Sequence, residues 1–278
     1  MAEALEPPFE RPDAGFNDLP GWTWVGTYGG HYLQCDLLAG FEHGFFTRQW
    51  QGREPEELAG EISAGVSVHR TRQVHGGTVL AAGEAEAAPW PEADGLRSDG
   101  GGQSLWVCGA DCTPVLIVDP AGGRVAACHA GWRGVAARIV PAAIEALVAD
   151  GASRDQLLVA LGPAVDGVRY QVERAVTLQV AAALEAPGAP GPAPDGALAD
   201  LERCGALLLD PDPGKDRLDI RRATALQLQR LGLAPERMAL CPLCTTAEPQ
   251  LFHSWRRDRV KAVQWSGVVS QAAPARRG

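Results

Sequence analysis

The chain has 278 residues, a formal net charge of −9 and a pI near 5.2. This acidic balance, without a long block of Lys or Arg, argues against a nucleic-acid-binding surface. No apolar run approaches membrane-spanning length, and residues 1–15 lack the basic start and apolar core of a signal peptide. Seven cysteines, an odd number, are more typical of free thiols or metal ligands than of a disulfide framework, so we expect a cytoplasmic protein.

Proline and glycine divide the chain into a few segments. Residues 1–20 are rich in proline and acid and predict a loose lead-in, and residues 270–278 predict a frayed tail. Between them, residues 21–269 predict one domain with an ample core. The Pro/Gly/Ala segment 186–197 predicts a surface loop, because it cannot hold a helix or a strand ladder.

Alternating and helical hydrophobic patterns predict the elements of this domain. Predicted strands lie at 22–30, 44–48, 66–75, in a hairpin-like pair within 104–128, and at 157–161, 238–241, 252–256 and 260–269. Predicted helices lie at 55–64, 135–150, 173–185 and, with Asp219 as N-cap, from there to Leu231. Strands and helices alternate throughout, so the class is α/β with mixed sheets.

Three residues of metal-ligand type stand at breaks in these patterns. Cys112 lies just before Pro114, His129 lies where an apolar strand ends in glycine, and His75 lies beside a glycine pair. Two imidazoles and one thiolate suffice for a zinc site with one open position. A histidine at a strand end is more often structural, and the spacing alone leaves both interpretations open.

Three charged residues are candidates for roles beside that site. Asp111 could orient a ligand imidazole or could cap its own turn. Arg133 lies in the Gly-rich turn that opens the helix after His129, where a phosphate or carboxylate could bind, although it could also be solvated. Arg48 ends a short aromatic strand, and a ligand-binding role and a solvated charge are equally compatible with that position.

A second cysteine pair competes as a site. Cys241 and Cys244 form a C-x-x-C, but no second C-x-x-C or paired histidine follows, so we favour structural thiols. Cys108 and Cys128 lie inside apolar strands and are most simply buried hydrophobic residues.

The motifs around these residues resemble those of a known family. Gln73-Val-His75-Gly, Ala110-Asp-Cys112 and His129-Ala-Gly-Trp-Arg-Gly134 are similar to the signature of the laccase-domain (polyphenol-oxidase-type) family, also called the peptidoglycan editing factor family and described as bacterial purine nucleoside phosphorylases. The resemblance covers roughly residues 40–269. It implies a four-layer α/β/β/α fold of duplicated βαββ type and a zinc ion held by the residues matching His75, Cys112 and His129.

The resemblance also implies an activity. It is phosphorolysis of adenosine, inosine, guanosine and methylthioadenosine, with adenosine deamination beside it, so the expected partners are a purine nucleoside and phosphate. Phosphate is expected near Arg133, with Arg48 as a further partner. The sequence departs from the family pattern after Arg48, which bears on the wall of the substrate pocket. It also departs at Gln171 between Tyr170 and Val172 and at Val260-Lys-Ala-Val, so the family's substrate preference does not transfer directly.

Two other functions remain open on the sequence. In a metal-free cysteine hydrolase or amidase, Cys112 would be the nucleophile and His129 its base. In a nucleoside sensor, the same pocket would bind without turnover. Multicopper oxidation is disfavoured, because six histidines in total are too few for several copper ions.

Overall fold

Two mixed six-stranded sheets packed face to face form the centre of the molecule. The computed structural model describes residues 19–185 and 194–272. Sheet 1 has the order β1 (Trp22–Thr27), β2 (Gly30–Cys35), β3 (His43–Phe46), β15 (Gln264–Val269), β7 (Gln103–Gly109), β4 (Ser67–His69). Sheet 2 has the order β14 (Met238–Leu240), β10 (Leu158–Leu161), β8 (Thr113–Val118), β9 (Val125–Ala130), β6 (Gly95–Arg97), β5 (Val79–Ala81).

Helices cover the outer face of each sheet. Their bounds are α1 (Pro55–Ile62), α2 (Trp132–Ala136), α3 (Ile139–Ala149), α4 (Arg174–Ala182), α5 (Pro194–Arg203), α6 (Ile220–Arg230) and α7 (Trp255–Asp258). Helix α1 packs on aromatic residues of sheet 1, and α3 to α6 share a core with sheet 2. The predicted α/β/β/α layering is therefore confirmed. No helix in the described part of the chain has both the length and the apolar character needed to cross a membrane.

Strand β8 shows why the central strands read as continuous apolar runs. Leu116 and Val118 pack between the two sheets, whereas Val115 and Ile117 face the helices. Successive side chains of a strand point to opposite faces, so a strand covered on both faces must be apolar throughout. This burial holds the ends of β8 and β9, where the candidate site lies, on a rigid base.

The predicted helix 135–150 is wrong in its continuity. The structure divides it into α2 and α3 at Arg138, which has a φ of 59°. Pro141 explains the break, because proline has no N–H to donate inside a helix but is tolerated in a first turn. Arg138 also donates hydrogen bonds to the carbonyls of Ala183 (2.6 Å) and Glu185 (2.8 Å), which fix the corner against the end of α4.

The predicted strand 252–256 is also wrong. The segment runs into α7, whose N-cap Ser254 accepts a hydrogen bond from the Arg257 amide at 3.2 Å. Serine favours a helix N-cap, so the start of this helix was readable from the sequence. Two other predicted strands are shorter than expected. Only Ser67–His69 of the predicted strand 66–75 and Gln264–Val269 of the predicted strand 260–269 pair with neighbouring strands.

A third, three-stranded sheet was not predicted. Its order is β11 (Gln171–Glu173), β13 (Lys215–Leu218), β12 (Leu207–Leu209). These strands are short and β13 carries three charged residues, so no alternation is visible at strand length.

Parts of three predictions fall outside the described residues. These parts are residues 1–18 of the lead-in, 186–193 of the surface loop and 273–278 of the tail. Residues 194–197 of the predicted loop instead begin α5, which starts at Pro194. Proline suits the first position of a helix, because the N–H it lacks would have no partner there.

Candidate metal centre

Two neighbouring strands bring Cys112 and His129 together. Cys112 immediately precedes β8, and His129 lies near the end of β9, where it pairs in register with Pro114. Gly131 then passes so close that a Cβ there would lie 2.7 Å from the Cys112 sulfur. Only glycine leaves room for the thiol at this point of the turn.

His75 completes the cluster from a separate loop between β4 and β5. Its φ of 62° turns the chain sharply, and its ring meets that of His129 edge to face, with centroids 4.8 Å apart. The candidate ligand atoms of His75, Cys112 and His129 all lie within 4.8 Å of one another, and no other such group occurs among the described residues. The structure thus assembles the three residues that the sequence singled out.

A buried carboxylate, Asp94, holds both histidines. Its Oδ1 accepts hydrogen bonds from His129 Nδ1 at 2.8 Å and from the His75 amide at 2.9 Å. Its Oδ2 accepts from the amides of Val74 at 3.0 Å and Gly76 at 2.7 Å. With Nδ1 donating to Asp94, the Nε2 of His129 would be the nitrogen that binds a metal once its proton is released.

The donor set fits a metal ion. Zinc bonds of about 2.0–2.3 Å place tetrahedral ligand atoms roughly 3.5 Å apart, so small side-chain rotations would close this cluster around an ion. His75 is exposed, Cys112 is intermediate and His129 is buried, which leaves one side of the cluster open. The residues can therefore hold one ion and leave a position for a further ligand.

The pKa values of Cys112 and His129 are shifted in opposite directions. Burial acts to raise the pKa of the Cys112 thiol, but hydrogen bonds with His129 and His75 outweigh it and lower the pKa to about 6. Burial acts to lower the pKa of His129, but its hydrogen bonds with Asp94 and Cys112 raise it to about 9. Near neutral pH the metal-free site therefore favours a thiolate beside an imidazolium.

The open side of the cluster faces a cavity of about 710 Å³. Arg133 lines it from α2, with its guanidinium 4.4 Å from the centroid of the Trp132 ring. Arg256 lines it from α7 and lies 4.8 Å from the centroid of the Tyr170 ring. The cavity thus combines aromatic surfaces with positive charge next to the metal ligands.

The hypothesis that Asp111 orients a ligand imidazole is wrong, because Asp94 occupies that role. Asp111 instead accepts hydrogen bonds from Thr245 Oγ1 at 2.7 Å and from the Arg256 amide at 2.6 Å. Its φ of 101° is unusual for a residue with a side chain. Asp111 thereby fastens the turn that carries Cys112 to the segment that carries Arg256.

Arg48, a candidate phosphate ligand, does not lie at the cavity. It donates a hydrogen bond to the Pro249 carbonyl at 2.7 Å and is not among the residues that line the cavity.

Cys241 and Cys244 are buried, and Arg221 donates to the carbonyls of Cys241 and, at 2.8 Å, Leu243. Burial raises the pKa of Cys241 to about 12, which suits a structural thiol.

Sequence reasoning missed Asp94 and the cavity wall formed by residues 255–263. Asp94 lies in Ala-Asp-Gly just before β6, and a polar residue next to a buried strand was the only available signal. Its partners are contributed by chain segments about twenty and thirty-five residues away, a relation that a local pattern does not carry. The wall was missed because residues 252–256 and 260–269 were both predicted as strands.

This fold and His/Cys/His site define a known class. The chain belongs to the family described as multi-copper polyphenol oxidoreductase laccase, whose model matches residues 53–270. The expected laccase-domain resemblance is thereby confirmed.

Individual relatives carry a different description. The purine nucleoside phosphorylase slr1573 of Synechocystis sp. is 44% identical over 264 residues, which cover 90% of this chain and 97% of that protein. The purine nucleoside phosphorylase SCO2081 of Streptomyces coelicolor is 35% identical over 211 residues, covering 73% and 76% of the two chains. The crystal structure of YlmD from Geobacillus stearothermophilus matches with a TM-score of 0.73 at 24% identity, over 89% of this chain and 98% of that one, which shows the fold.

Proposed function

We propose that this chain is a cytoplasmic, zinc-dependent purine nucleoside phosphorylase acting on adenosine, inosine, guanosine or methylthioadenosine, with adenosine deamination as a side activity. One observation carries the proposal: an open His75/Cys112/His129 cluster on the wall of a large cavity that also presents Arg133. The relatives named purine nucleoside phosphorylase support the reaction class.

Zinc suits this donor set better than copper does. Two imidazoles and a thiolate with one open position are typical of catalytic zinc, whereas a blue-copper site with the same ligands adds a weak axial methionine. None of the described residues lining the cavity is a methionine, and Met238 lies on β14 beside a different pocket. A bound zinc ion would act as a Lewis acid and lower the pKa of water near neutrality.

The protein's own residues would position the reactants. Arg133 would hold inorganic phosphate, because a guanidinium matches phosphate oxygens in pairs. In phosphorolysis a phosphate oxygen bonds to C1′ of the ribose while the C1′–N9 bond breaks and the electron pair leaves with the purine. Arg48 faces another part of the chain, so we assign phosphate to Arg133.

A cysteine hydrolase is the second candidate, and the structure supplies a specific reason for it. Cys112, His129 and Asp94 form a nucleophile, a base and an orienting carboxylate in hydrogen-bonded sequence. The lowered pKa of Cys112 favours the thiolate that such a mechanism needs. Metal content decides between the candidates, because zinc would occupy the thiolate.

Arg133→Gln tests the proposal. Supplying adenosine and phosphate to the zinc-loaded protein should release adenine and ribose 1-phosphate. The variant should raise the phosphate KM by about tenfold or more, because a charged hydrogen bond of about 1.5–3 kcal/mol is lost, with zinc content unchanged. Arg154→Gln is the matched control, since Arg154 is also without an ion pair but lies outside the cavity.

Omitting phosphate separates the two activities. Adenine release should stop, whereas inosine formation from adenosine should continue. Binding of adenosine without any product would instead indicate a nucleoside sensor, and turnover that persists without zinc but stops on thiol alkylation would indicate the hydrolase.

A further inference from the structure

Basic side chains that have neither an ion pair nor a hydrogen bond gather in one place among the described residues. Among the described residues, Arg133, Arg256, Arg259 and Lys261 make neither an ion pair nor a side-chain hydrogen bond, and all four line the cavity. Elsewhere in the described chain only Arg154 shares this property. The protein has a net charge of −9, and the other described Lys and Arg side chains, Arg154 excepted, have an ion pair or a hydrogen bond, so this concentration of free positive charge marks a binding surface for anions.

One phosphate does not balance this charge. Inorganic phosphate carries about 1.5 to 2 negative charges near pH 7, which two cations neutralise. Among the described residues that line the cavity, Asp111 is the only acidic one; its oxygens accept hydrogen bonds from Thr245 and the Arg256 amide, and its charge offsets one of the four cations. About one positive charge, or slightly more, therefore remains for a second anionic group.

The four cations come from two segments of the chain. Arg133 belongs to α2 and directly follows the turn that carries His129. Arg256, Arg259 and Lys261 belong to α7 and the segment after it.

Arg256 is held in place by two contacts. Its backbone amide is bonded to Asp111 at 2.6 Å, and its guanidinium lies 4.8 Å from the Tyr170 ring centroid. Asp111 is buried and adjoins Cys112, so the position of Arg256 is tied to the position of the metal ligand. A cation held in place in this way loses little freedom when an anion binds.

From this we infer that Arg256, with Arg259 and Lys261, forms a second anion subsite that recognises the 5′-phosphate of a purine nucleoside monophosphate. The inference rests on the proposed function and extends its substrates from nucleosides to nucleotides. A cavity of about 710 Å³ has room for a nucleotide and a phosphate ion together. The C1′–N9 bond would break and a C1′–O–phosphate bond would form, so that the products are the purine, which takes up a proton, and ribose 1,5-bisphosphate.

Binding of inosine and inosine 5′-monophosphate to the zinc-loaded protein tests the subsite. Neither ligand has an amino group, so deamination cannot consume it during the measurement. Sulfate in the buffer occupies the inorganic-phosphate site without reacting, so phosphorolysis cannot occur either. The monophosphate should bind about tenfold or more tightly than inosine, because its phosphate gains at least one charge-assisted hydrogen bond. Arg256→Gln should bring the ratio of the two dissociation constants close to one, and Lys261→Gln should reduce it.

Two control variants show whether the loss of preference is specific to Arg256. Arg154→Gln and Arg133→Gln should leave the ratio as in the parent protein, and zinc content and circular dichroism report whether Arg256→Gln is folded. Equal binding of the two ligands by the parent protein, or a preference that survives Arg256→Gln and disappears in Arg133→Gln, would overturn the inference. Replacing sulfate with phosphate tests the proposed function separately: if no hypoxanthine appears, phosphorolysis is wrong, while the binding ratio still decides the subsite.

Discussion

At the scale of single residues, Asp94 links the histidine ligands to the fold. It receives hydrogen bonds from His129 and from three consecutive amides around His75. Burial opposes its charge, but these bonds hold the pKa of Asp94 below its usual range. A carboxylate is required here because it offers four acceptor positions and no donor.

Asp94→Asn should therefore weaken zinc binding. The amide has one acceptor atom and one donor, so it cannot satisfy His129 and all three backbone amides. Loss of a partner of this kind typically lowers metal affinity about 10- to 100-fold. Competition with a metallochromic chelator measures the change. Asp119→Asn, which alters another buried carboxylate, is the control, and equal zinc affinity of Asp94→Asn and the parent protein would contradict the role assigned to Asp94.

Cys112 should be an unusually reactive thiol in metal-free protein. Its pKa is lowered to about 6, so the thiolate is lost as pH falls through 6 and is fully present above about pH 7, whereas an ordinary cysteine ionises near 8.5. Iodoacetamide labelling followed by mass spectrometry should show the rate at Cys112 rising between about pH 5 and 7. Zinc should protect the thiol, and a rate that rises only above about pH 8 would show that the histidines do not stabilise the thiolate.

At the scale of elements, helix caps could be predicted from the sequence, whereas pairing between distant strands could not. Asp219 caps α6 as expected, with its side chain accepting from the Arg222 amide at 3.1 Å. Helix α7 and the division at Arg138 were missed, although Ser254 and Pro141 each carried a local signal, because apolar periodicity was given more weight. In the third sheet, β12 and β13 form a local hairpin of very short strands, whereas β11 joins β13 through pairs such as Gln171 with Arg217, which are distant in sequence and show in no local pattern.

His43 couples strands β2 and β3 and should make the fold sensitive to acid. Its Nε2 accepts a hydrogen bond from the Cys35 amide at 2.8 Å, which requires a neutral ring. Burial lowers the pKa of His43, so the neutral form stabilises the fold fully above about pH 6.5 and this contribution is lost as pH falls below that value.

Urea unfolding from pH 7.5 to 5.5 checks this prediction. The free energy of unfolding should fall more steeply with decreasing pH in the parent protein than in His43→Gln, whose side chain can accept from Cys35 but does not titrate. Identical slopes for the two proteins would mean that His43 makes no contribution to the acid sensitivity.

At the scale of the whole molecule, the fold produces a metal site that the sequence holds only in parts. The three ligand residues were identified because each stood beside a glycine or at a break in a strand. Their meeting depends on the β8/β9 register and on the packing of the His75 loop against Asp94, neither of which follows from spacing. The cationic wall after α7 likewise becomes a feature only when the fold brings it to the same cavity.

The most direct test of the central claim measures phosphorolysis as a function of zinc occupancy. Protein prepared without chelator should contain about one zinc per chain and release adenine and ribose 1-phosphate from adenosine and phosphate. Removing zinc should abolish product, adding it back should restore product, and Cys112→Ala should neither bind zinc nor respond to it. Undiminished phosphorolysis by the zinc-free protein, or by Cys112→Ala, would contradict the account.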